Sequence, residues 1–240
     1  LCAFHDDGTL DEEGLRSYFR QLSRVEGLHG LVANGHTGKI MALRTAERAR
    51  VTAILAEEVR ASGRSDLIAA SGVIVLVAVD QAIGVGVSSW EVCQECARSC
   101  DFDCFILAGR YTLLEQKSLE TFLPLCQDRN IGVIAAAPYN SGILVYGPVD
   151  GAHYNYAPAS SLILEKTRQI EIVCARHGVT LAAAALQFPL GHPTVSSVLP
   201  GPRTPAQVET SVKLFKEIIP EDFWEDLKKE QLIDAESPNP

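Results

Sequence analysis

The sequence has 240 residues, of which 47% are hydrophobic and 21% are charged. This composition is ordinary for a globular protein and excludes disorder, collagen and coiled coil for most of the chain. Lysine and arginine total 21 against 30 aspartates and glutamates, so the net charge is −9 and we expect no nucleic-acid partner. At about 150 residues per domain, the length allows one large domain or two small ones.

The sequence also bears on membranes and on the cellular compartment. The longest apolar stretch, around residues 67–79, is too short to span a bilayer and is interrupted by Ser71 and Gly72. The first residues, LCAFHDDG, show no signal peptide, although the sequence starts in an apparent strand without methionine, so a leader could have been removed. The odd number of cysteines, 7, favours reduced thiols. We therefore expect a cytoplasmic protein with no membrane partner.

Strand and helix patterns alternate along the chain, which predicts a parallel sheet with helical crossovers. Thr9 and Glu12 match a capping box at the start of the first helix. A strand at residues 29–34 and a second helix at about 45–61 follow. Both helices carry an apolar face at helical spacing. These faces are formed by Leu15, Phe19, Leu22, Val25, Val51, Ile54, Leu55 and Val59.

Residues 66–87 interrupt this alternation. DLIAAS, VIVLVAV and AIGVGV are each typical of a strand, with almost nothing between them. Parallel strands need a crossover of about a dozen residues or more, so either two of these strands pair as a hairpin or a helix is missing. Residues 72–81 are therefore predicted to join two halves of the chain, 1–80 and 81–240.

The alternation resumes after Gln81. Strands are predicted at residues 102–107, 131–137 and 195–200. Helices are predicted at 89–100, 115–129, 160–177, 181–190 and about 221–232, with a further helix opening at Pro205. The loop at 138–159 holds four of the six tyrosines, and the last seven residues are expected to be disordered.

A run of cysteines, Cys93, Cys96, Cys100 and Cys104, raises the question of a metal site. Its spacing matches neither paired zinc knuckles nor the bacterial iron–sulfur run. The first three fall on one helical face, where small buried thiols are the more common explanation. We predict no metal site.

Three stretches of the first half carry a resemblance: DDGTLDEEGLRSYFRQL, GLHGLVANGHTGKIMAL and AERARVTAILAEE. Through them, residues 1–72 resemble the dihydrodipicolinate synthase and N-acetylneuraminate lyase family of class I aldolases. The resemblance implies a pyruvate-carboxylate loop at GHTGK, in which Thr37 keeps a hydroxyl and Lys39 replaces the usual glutamate. Lys39, Thr37 and His36 are the catalytic candidates of this loop. Lys39 either forms a Schiff base or is a loop lysine that faces solvent. The second interpretation stays open because the family's Schiff-base lysine belongs to strand six, and strand six has no lysine here.

Six stretches of the second half carry another resemblance: AIGVGVSSWEVC, DFDCFILAGRYTLLEQ, LPLCQDRNIGVIAAAPYNSGIL, YNYAPA, CARHGVTLAAAALQFPL and SSVLPGPRTPAQVE. Through them, residues 81–232 resemble the aldo/keto reductases, in particular sugar 1-dehydrogenases of the L-fucose, D-threo-aldose and galactose type. The resemblance implies strands five to eight of a (β/α)8 barrel, with most of a binding site for NAD or NADP.

That resemblance also implies which residues hold the cofactor. Ser88 would contact the nicotinamide amide, and Tyr111 would stack on the nicotinamide ring. The other implied residues are Tyr139, Asn140, Ser141 and Gly142 near the pyrophosphate, and Gly201, Arg203, Gln207 and Glu209 at the adenosine end.

The family's acid–base tetrad of Asp, Tyr, Lys and His would come from strands one to four. The first 80 residues contain no Asp-x-x-x-x-Tyr segment after a first strand, no lysine at the end of strand three and no histidine in VIVLVAV. The resemblance therefore implies a cofactor site whose catalytic tetrad is missing.

Both families share one barrel architecture. We therefore predict an α/β protein of (β/α)8 TIM-barrel type, a chimera of two half barrels in one domain, incomplete around strands three and four. The expected function is NAD(P)-dependent oxidoreduction of a small-molecule sugar, an aldose, with weak or absent turnover. The alternatives are a pyruvate-type class I aldolase and a barrel scaffold without catalysis. An incomplete barrel would expose sheet edge and apolar surface, which favours a homo-oligomer.

Overall fold

The computed structural model describes residues 4–5, 7–33, 43–64, 68–71 and 84–240. The chain divides into two compact units, residues 1–77 with 201–213 and residues 78–200 with 214–240. In the described part, no helix has the length and apolar character needed to cross a membrane. The predicted strand VIVLVAV and the whole of the predicted junction at 72–81 lie outside the described residues.

The elements follow one another as strands and helices along the chain. The strands are β1 (Gly30–Ala33), β2 (Ile68–Ser71), β3 (Gly84–Val87), β4 (Cys104–Ala108), β5 (Gly132–Ala136), β6 (His153–Tyr154), β7 (Ala157–Pro158) and β8 (Val195–Leu199). The helices are α1 (Glu12–Leu22), α2 (Thr45–Ala61), α3 (Trp90–Ser99), α4 (Phe122–Asp128), α5 (Ile143–Tyr146), α6 (Ser161–His177), α7 (Leu181–Gln187), α8 (Pro205–Phe215) and α9 (Glu221–Lys229). Short 3-10 turns occur at Lys117–Leu119, Asn140–Gly142 and Phe188–Gly191.

The first unit is built on a parallel strand pair. β1 and β2 run parallel with Gly30 opposite Ile68. The apolar faces predicted for α1 and α2 are buried together with Leu31, Leu43 and Val208 of α8, and Val25 is half-buried against them. The helical spacing therefore predicted this core correctly, including both ends of α2.

The start of α1 differs from the predicted capping box. Asp11 is the N-cap, and its carboxylate accepts a hydrogen bond from the Gly14 backbone N–H at 2.8 Å. Thr9 instead donates its hydroxyl to Asp7 Oδ1 at 2.6 Å, in the turn before the helix. Aspartate is at least as favourable as threonine at an N-cap. The chain turns at Gly8, whose φ is 81°, and Asp11 then lies at the position where the helix begins.

An ionic network joins α1 to α2. Glu58 of α2 is only 7% exposed and accepts hydrogen bonds from Arg16 Nη1 at 3.0 Å and Arg20 Nε at 3.1 Å. Burial alone would raise the pKa of the Glu58 carboxyl, but the two guanidinium groups outweigh it and lower that pKa. Glu57, which is far more exposed, pairs with Arg16 and Arg50. The buried pair at Glu58 therefore fixes how the two helices pack.

We expect Glu58→Ala to lower the free energy of unfolding by about 1.5–3 kcal/mol, because the three hydrogen bonds that Arg16 and Arg20 donate to its carboxylate are lost. Urea unfolding followed by circular dichroism at neutral pH measures this change. The matched control is Glu57→Ala, for which a smaller loss is expected because solvent screens its ion pairs. Since the pKa of Glu58 is lowered below 4.5, its contribution is present above that value and is lost as the pH falls through its folded pKa. Equal effects of the two variants would contradict the assignment.

The second unit contains a four-stranded parallel sheet in the order β3-β4-β5-β8. Gly84 lies opposite Cys104, Cys104 opposite Gly132, and Val133 opposite Val195. The sheet and its helices bury a continuous core in which Phe105 meets Phe122 edge to face. This alternation of parallel strands and helices agrees with the α/β class predicted from the sequence.

The predicted helix at residues 115–129 is shorter in the structure. A 3-10 turn at Lys117–Leu119 is followed by α4, which begins at Phe122. Pro124 lies in the first turn of α4, where its missing N–H leaves no hydrogen bond unmade. A proline in the interior of a longer helix would remove a hydrogen bond and clash with the preceding turn. The helix therefore begins just before it.

The last seven residues, expected to be disordered, pack on the second unit. Ser237 is 1% exposed, and Asn239 Nδ2 donates to Glu225 Oε1 of α9 at 2.9 Å. Leu232 and Ile233, just before them, are 3% and 5% exposed. This apolar pair anchors the tail, so its polar composition alone is a poor guide to its order.

The four cysteines from α3 to the start of β4 differ in their burial. Cys93 is buried, Cys96 and Cys104 are half-buried, and Cys100 is exposed. Burial raises the pKa of the Cys93 thiol to about 12. Within the described ranges, no group of three or more His, Cys, Asp or Glu side chains is arranged to hold a metal ion.

Candidate functional site

The carboxyl ends of β3, β4 and β5 lie at the same edge of the second unit's sheet, because these strands are parallel and adjacent. Open parallel sheets bind their ligands at this edge. Ser88 follows β3, Arg110 comes two residues after β4, and Asn140 lies in the loop after β5. These three positions define the candidate site.

Arg110 is held across the first two strand ends. Its Nε donates to the Ser88 carbonyl oxygen at 2.8 Å. Its terminal nitrogens make no hydrogen bond or ion pair with another described residue. A cavity of about 330 Å³ opens here. It is lined by Ser88, Ser89, Trp90, Glu91, Arg110, Glu115 and Lys117.

Glu115 connects this cavity to the tyrosine-rich loop. The Tyr154 hydroxyl donates to Glu115 Oε2 at 3.1 Å. Burial, followed by the charge of Glu115, raises the pKa of Tyr154 to about 12, so Tyr154 is a phenol at neutral pH. Burial also lowers the pKa of Lys166 of α6, and the Glu115 carboxylate opposes that shift. Glu115 therefore accepts a hydrogen bond from Tyr154 and favours the charged form of the half-buried Lys166.

Two asparagine amides converge on Gly109, whose φ is 68°. A Cβ at this glycine would lie 3.7 Å from both Asn140 Nδ2 and Asn155 Oδ1. Asn140 is 2% exposed and its Nδ2 reaches the Gly109 carbonyl oxygen at 3.5 Å. Its Oδ1 is buried and has no hydrogen-bond partner in the part of the chain that the structure describes. An unsatisfied buried acceptor is costly, and a donor from a ligand would satisfy it.

The backbone around this amide pair is strained. Ala137, Asn140, Ser141, Asn155 and Tyr156 have φ values of 52°, 43°, 62°, 50° and 66°. Left-handed conformations of non-glycine residues cost energy and concentrate at functional sites. The strained segments are tied together, since the Tyr156 N–H donates to Ser141 Oγ at 2.9 Å. The loop after β5 and the β6–β7 hairpin are thus held as one polar surface.

The other two residues implied for the pyrophosphate lie in the same loop. Tyr139, half-buried, is the N-cap of the 3-10 turn at Asn140–Gly142, and its carbonyl oxygen accepts from the Leu144 N–H at 3.3 Å. Gly142 has φ of 98°, and a Cβ there would lie 3.3 Å from the Tyr146 ring. The chain therefore needs glycine at this position.

Tyr111 lies in the core, although the resemblance implies that it stacks on the cofactor. It is 1% exposed, and its ring lies 5.2 Å from Phe188 and 5.9 Å from His192 between centroids. Burial raises its pKa well above the usual tyrosine value. A ring with so little exposed surface presents no face to a ligand, so its side chain serves packing here.

The four residues implied for the adenosine end belong to the first unit. Gly201 has φ of 71°, and the Arg203 backbone N–H donates to Gln207 Oε1 at 2.6 Å. Gln207 N–H in turn donates to Thr204 Oγ1 at 3.2 Å, so these side chains cap the start of α8. Glu209 lines an open groove of about 470 Å³ on the first unit.

The catalytic candidates Lys39, Thr37 and His36 lie outside the described residues, and their roles stay predictions. The structure adds Arg110, Glu115, Tyr154 and Asn155 to the site. Arg110 could have been found from the sequence, because it follows the predicted strand at 102–107 by a few residues. Tyr154 and Glu115 are 39 positions apart, a pairing that only the folded chain reveals.

Comparison with known proteins matches residues 81–231 to the Aldo/keto reductase family. The chain is 42% identical over 150 residues to a pyridoxal 4-dehydrogenase of Microbacterium luteolum, covering 62% of this chain and 44% of the relative. It is 35% identical over 156 residues to a D-threo-aldose 1-dehydrogenase of a Pseudomonas species, covering 65% and 47%. The chain thus spans about half the length of these relatives.

Among solved structures, the chain is similar to an aldo-keto reductase from Bacillus halodurans in its apo form. The TM-score is 0.59 at 17% identity, covering 94% of this chain and 88% of that one. This likeness concerns the fold, which is of the (β/α)8 type. The expected kinship of residues 1–72 with the dihydrodipicolinate synthases stays a prediction, because the family match covers the second half and the two families share this architecture. With residues 81–231 matched, the chain belongs to the aldo/keto reductase family.

Proposed function

We propose that this protein is an NAD(P)-dependent oxidoreductase that acts on an aldose. The single observation that carries the proposal is the buried Asn140 Oδ1, an acceptor without a partner among the described residues, at the carboxyl edge of a parallel sheet. A nicotinamide dinucleotide has amide and hydroxyl donors that can fill such a position. Aldo/keto reductases use this class of cofactor, and the relatives named above are dehydrogenases.

The residues present fit the cofactor in part. Ser88 is exposed at the end of β3, where it can hydrogen bond to the nicotinamide amide, and Asn140, Ser141 and Gly142 form the adjacent turn. Tyr111 is left out of the proposed contact set because its ring is buried. Gly201, Arg203, Gln207 and Glu209 stay proposed for the adenosine end, where an arginine suits phosphate.

Ser88 and the turn at Asn140–Gly142 would hold the oxidised form of a nicotinamide cofactor, which would supply the acceptor for the hydride of the sugar's anomeric carbon. The hydroxyl proton released in the same oxidation must pass to a base, and the product is a lactone. The tetrad that supplies this base by resemblance has no counterpart in residues 1–80. We therefore propose that residues 81–231 retain cofactor binding, while these 240 residues by themselves turn over L-fucose or galactose weakly or not at all.

Cofactor binding is tested with NADH and NADPH, whose fluorescence rises when the nicotinamide leaves water. Asn140→Ala is expected to weaken the affinity about tenfold, because one buried hydrogen bond is lost. Asn130→Ala is the matched control, since Asn130 also has a positive φ, 54°, but lies after α4 away from the site. Absence of saturable binding by both nucleotides would overturn the proposal.

Tyr111→Leu separates packing from stacking, because leucine keeps an apolar core side chain but removes the aromatic ring. We expect the free energy of unfolding to fall by about 1–3 kcal/mol while the cofactor affinity changes by less than about twofold. Urea unfolding and the NADH titration are measured on the same preparation. A large loss of affinity with unchanged stability would restore the stacking role.

A further inference from the structure

Of the residues that line the cavity beside Ser88, only Ser88 is implied to contact the cofactor. The other lining residues have no role in the proposed cofactor site. Six of its seven lining residues are polar or charged, and Trp90 is the aromatic one. Trp90 is the first residue of α3 and is half-buried against the core, so its position is fixed. An aromatic surface among hydrogen-bonding groups suits a ligand with one apolar face and a polar rim.

The charges of the lining balance. Arg110 and Lys117 are cations, and Glu91 and Glu115 are carboxylates. The carboxylates would repel a phosphate, and the cations would repel an amine, by amounts that grow as water is excluded. A neutral polyhydroxylated ring can donate to the carboxylates and accept from the cations at once. The balance therefore favours a sugar over a charged ligand.

The polar groups are already held in place. The Ser88 carbonyl oxygen fixes Arg110 through its Nε and leaves its terminal nitrogens available, as described above. The Tyr154 hydroxyl fixes one oxygen of Glu115, and Ser89 Oγ donates to Glu91 Oε2 at 2.7 Å. Groups with restricted rotamers lose less entropy when a ligand binds. The cavity is thus preorganised for several weak hydrogen bonds.

We infer that this cavity is the subsite that binds the ring hydroxyls of the aldose, with Arg110 and Glu115 as specificity-determining residues and the Trp90 indole under the apolar face of the ring. The inference rests on the proposed function, because Ser88 would place the sugar beside the nicotinamide. It assigns substrate recognition to the second unit alone.

The test measures sugar binding to the unsubstituted 240-residue chain without any cofactor. L-Fucose is titrated while Trp90 fluorescence is recorded; the other tryptophan, Trp224, is 2% exposed and gives a steady background. Saturation-transfer NMR on L-fucose provides a readout that does not depend on tryptophan. Arg110→Gln and Glu115→Gln are each expected to weaken binding about tenfold, since each removes the charge from a group that would hydrogen bond to the sugar.

Matched controls are Arg168→Gln and Glu120→Gln, an exposed arginine and an exposed glutamate that do not line the cavity. They are expected to bind like the wild type. Circular dichroism checks that every variant is folded. If Arg110→Gln is unfolded, Glu115→Gln alone decides, because glutamine still accepts from Tyr154 and removes only the charge.

Comparison ligands are cyclohexanol and inorganic phosphate. Cyclohexanol offers the ring without the polyol and should not saturate. Saturable phosphate binding that exceeds that of L-fucose would overturn the inference, as would the absence of any L-fucose signal. Binding of L-fucose by a chain that binds no nicotinamide nucleotide would support this subsite and refute the proposed function. Binding of NADH without L-fucose would do the reverse.

Discussion

The parallel pairing of β3, β4 and β5 is the constraint on which the candidate site depends. Parallel neighbours bring their carboxyl ends to one edge, so residues from loops far apart in sequence meet there. The backbone must then turn sharply, and Gly109, Ala137 and Asn140 take up left-handed conformations. The buried core beneath them over-determines these conformations, which would not persist in an isolated loop.

Features set by local pattern could be predicted. The buried faces of α1 and α2 follow from apolar spacing, because a helix side chain meets the core according to its position on the turn. Features set by partners elsewhere in the chain could not. The last seven residues are mostly polar, yet Asn239 bonds to Glu225, and the buried Leu232 and Ile233 just before them hold the segment on the second unit. Pro124 indicates in the sequence that α4 begins late, since an α-helix tolerates proline only in its first turn.

The candidate site shows the same division. Its location at the strand ends, with Ser88 and Asn140, came from a resemblance of sequence and agrees with the edge at which parallel sheets bind ligands. Tyr111 shows the limit of that reasoning, because its burial depends on Phe188 and His192, some 80 positions away. The Glu115–Tyr154 contact likewise depends on how the tyrosine-rich loop folds back, which residue types alone do not specify.

The graded burial of the cysteines has a practical consequence for chemistry at the surface. Burial raises the pKa of Cys93, Cys126 and Cys174 to about 12, so their nucleophilic thiolate forms are scarce at neutral pH. Cys100 is exposed at the end of α3, before β4 begins, and therefore near the amino end of that strand. Among the described cysteines, a maleimide should react first at Cys100. An immobilisation tether or dye attached there would leave the opposite, carboxyl edge of the sheet open to ligands.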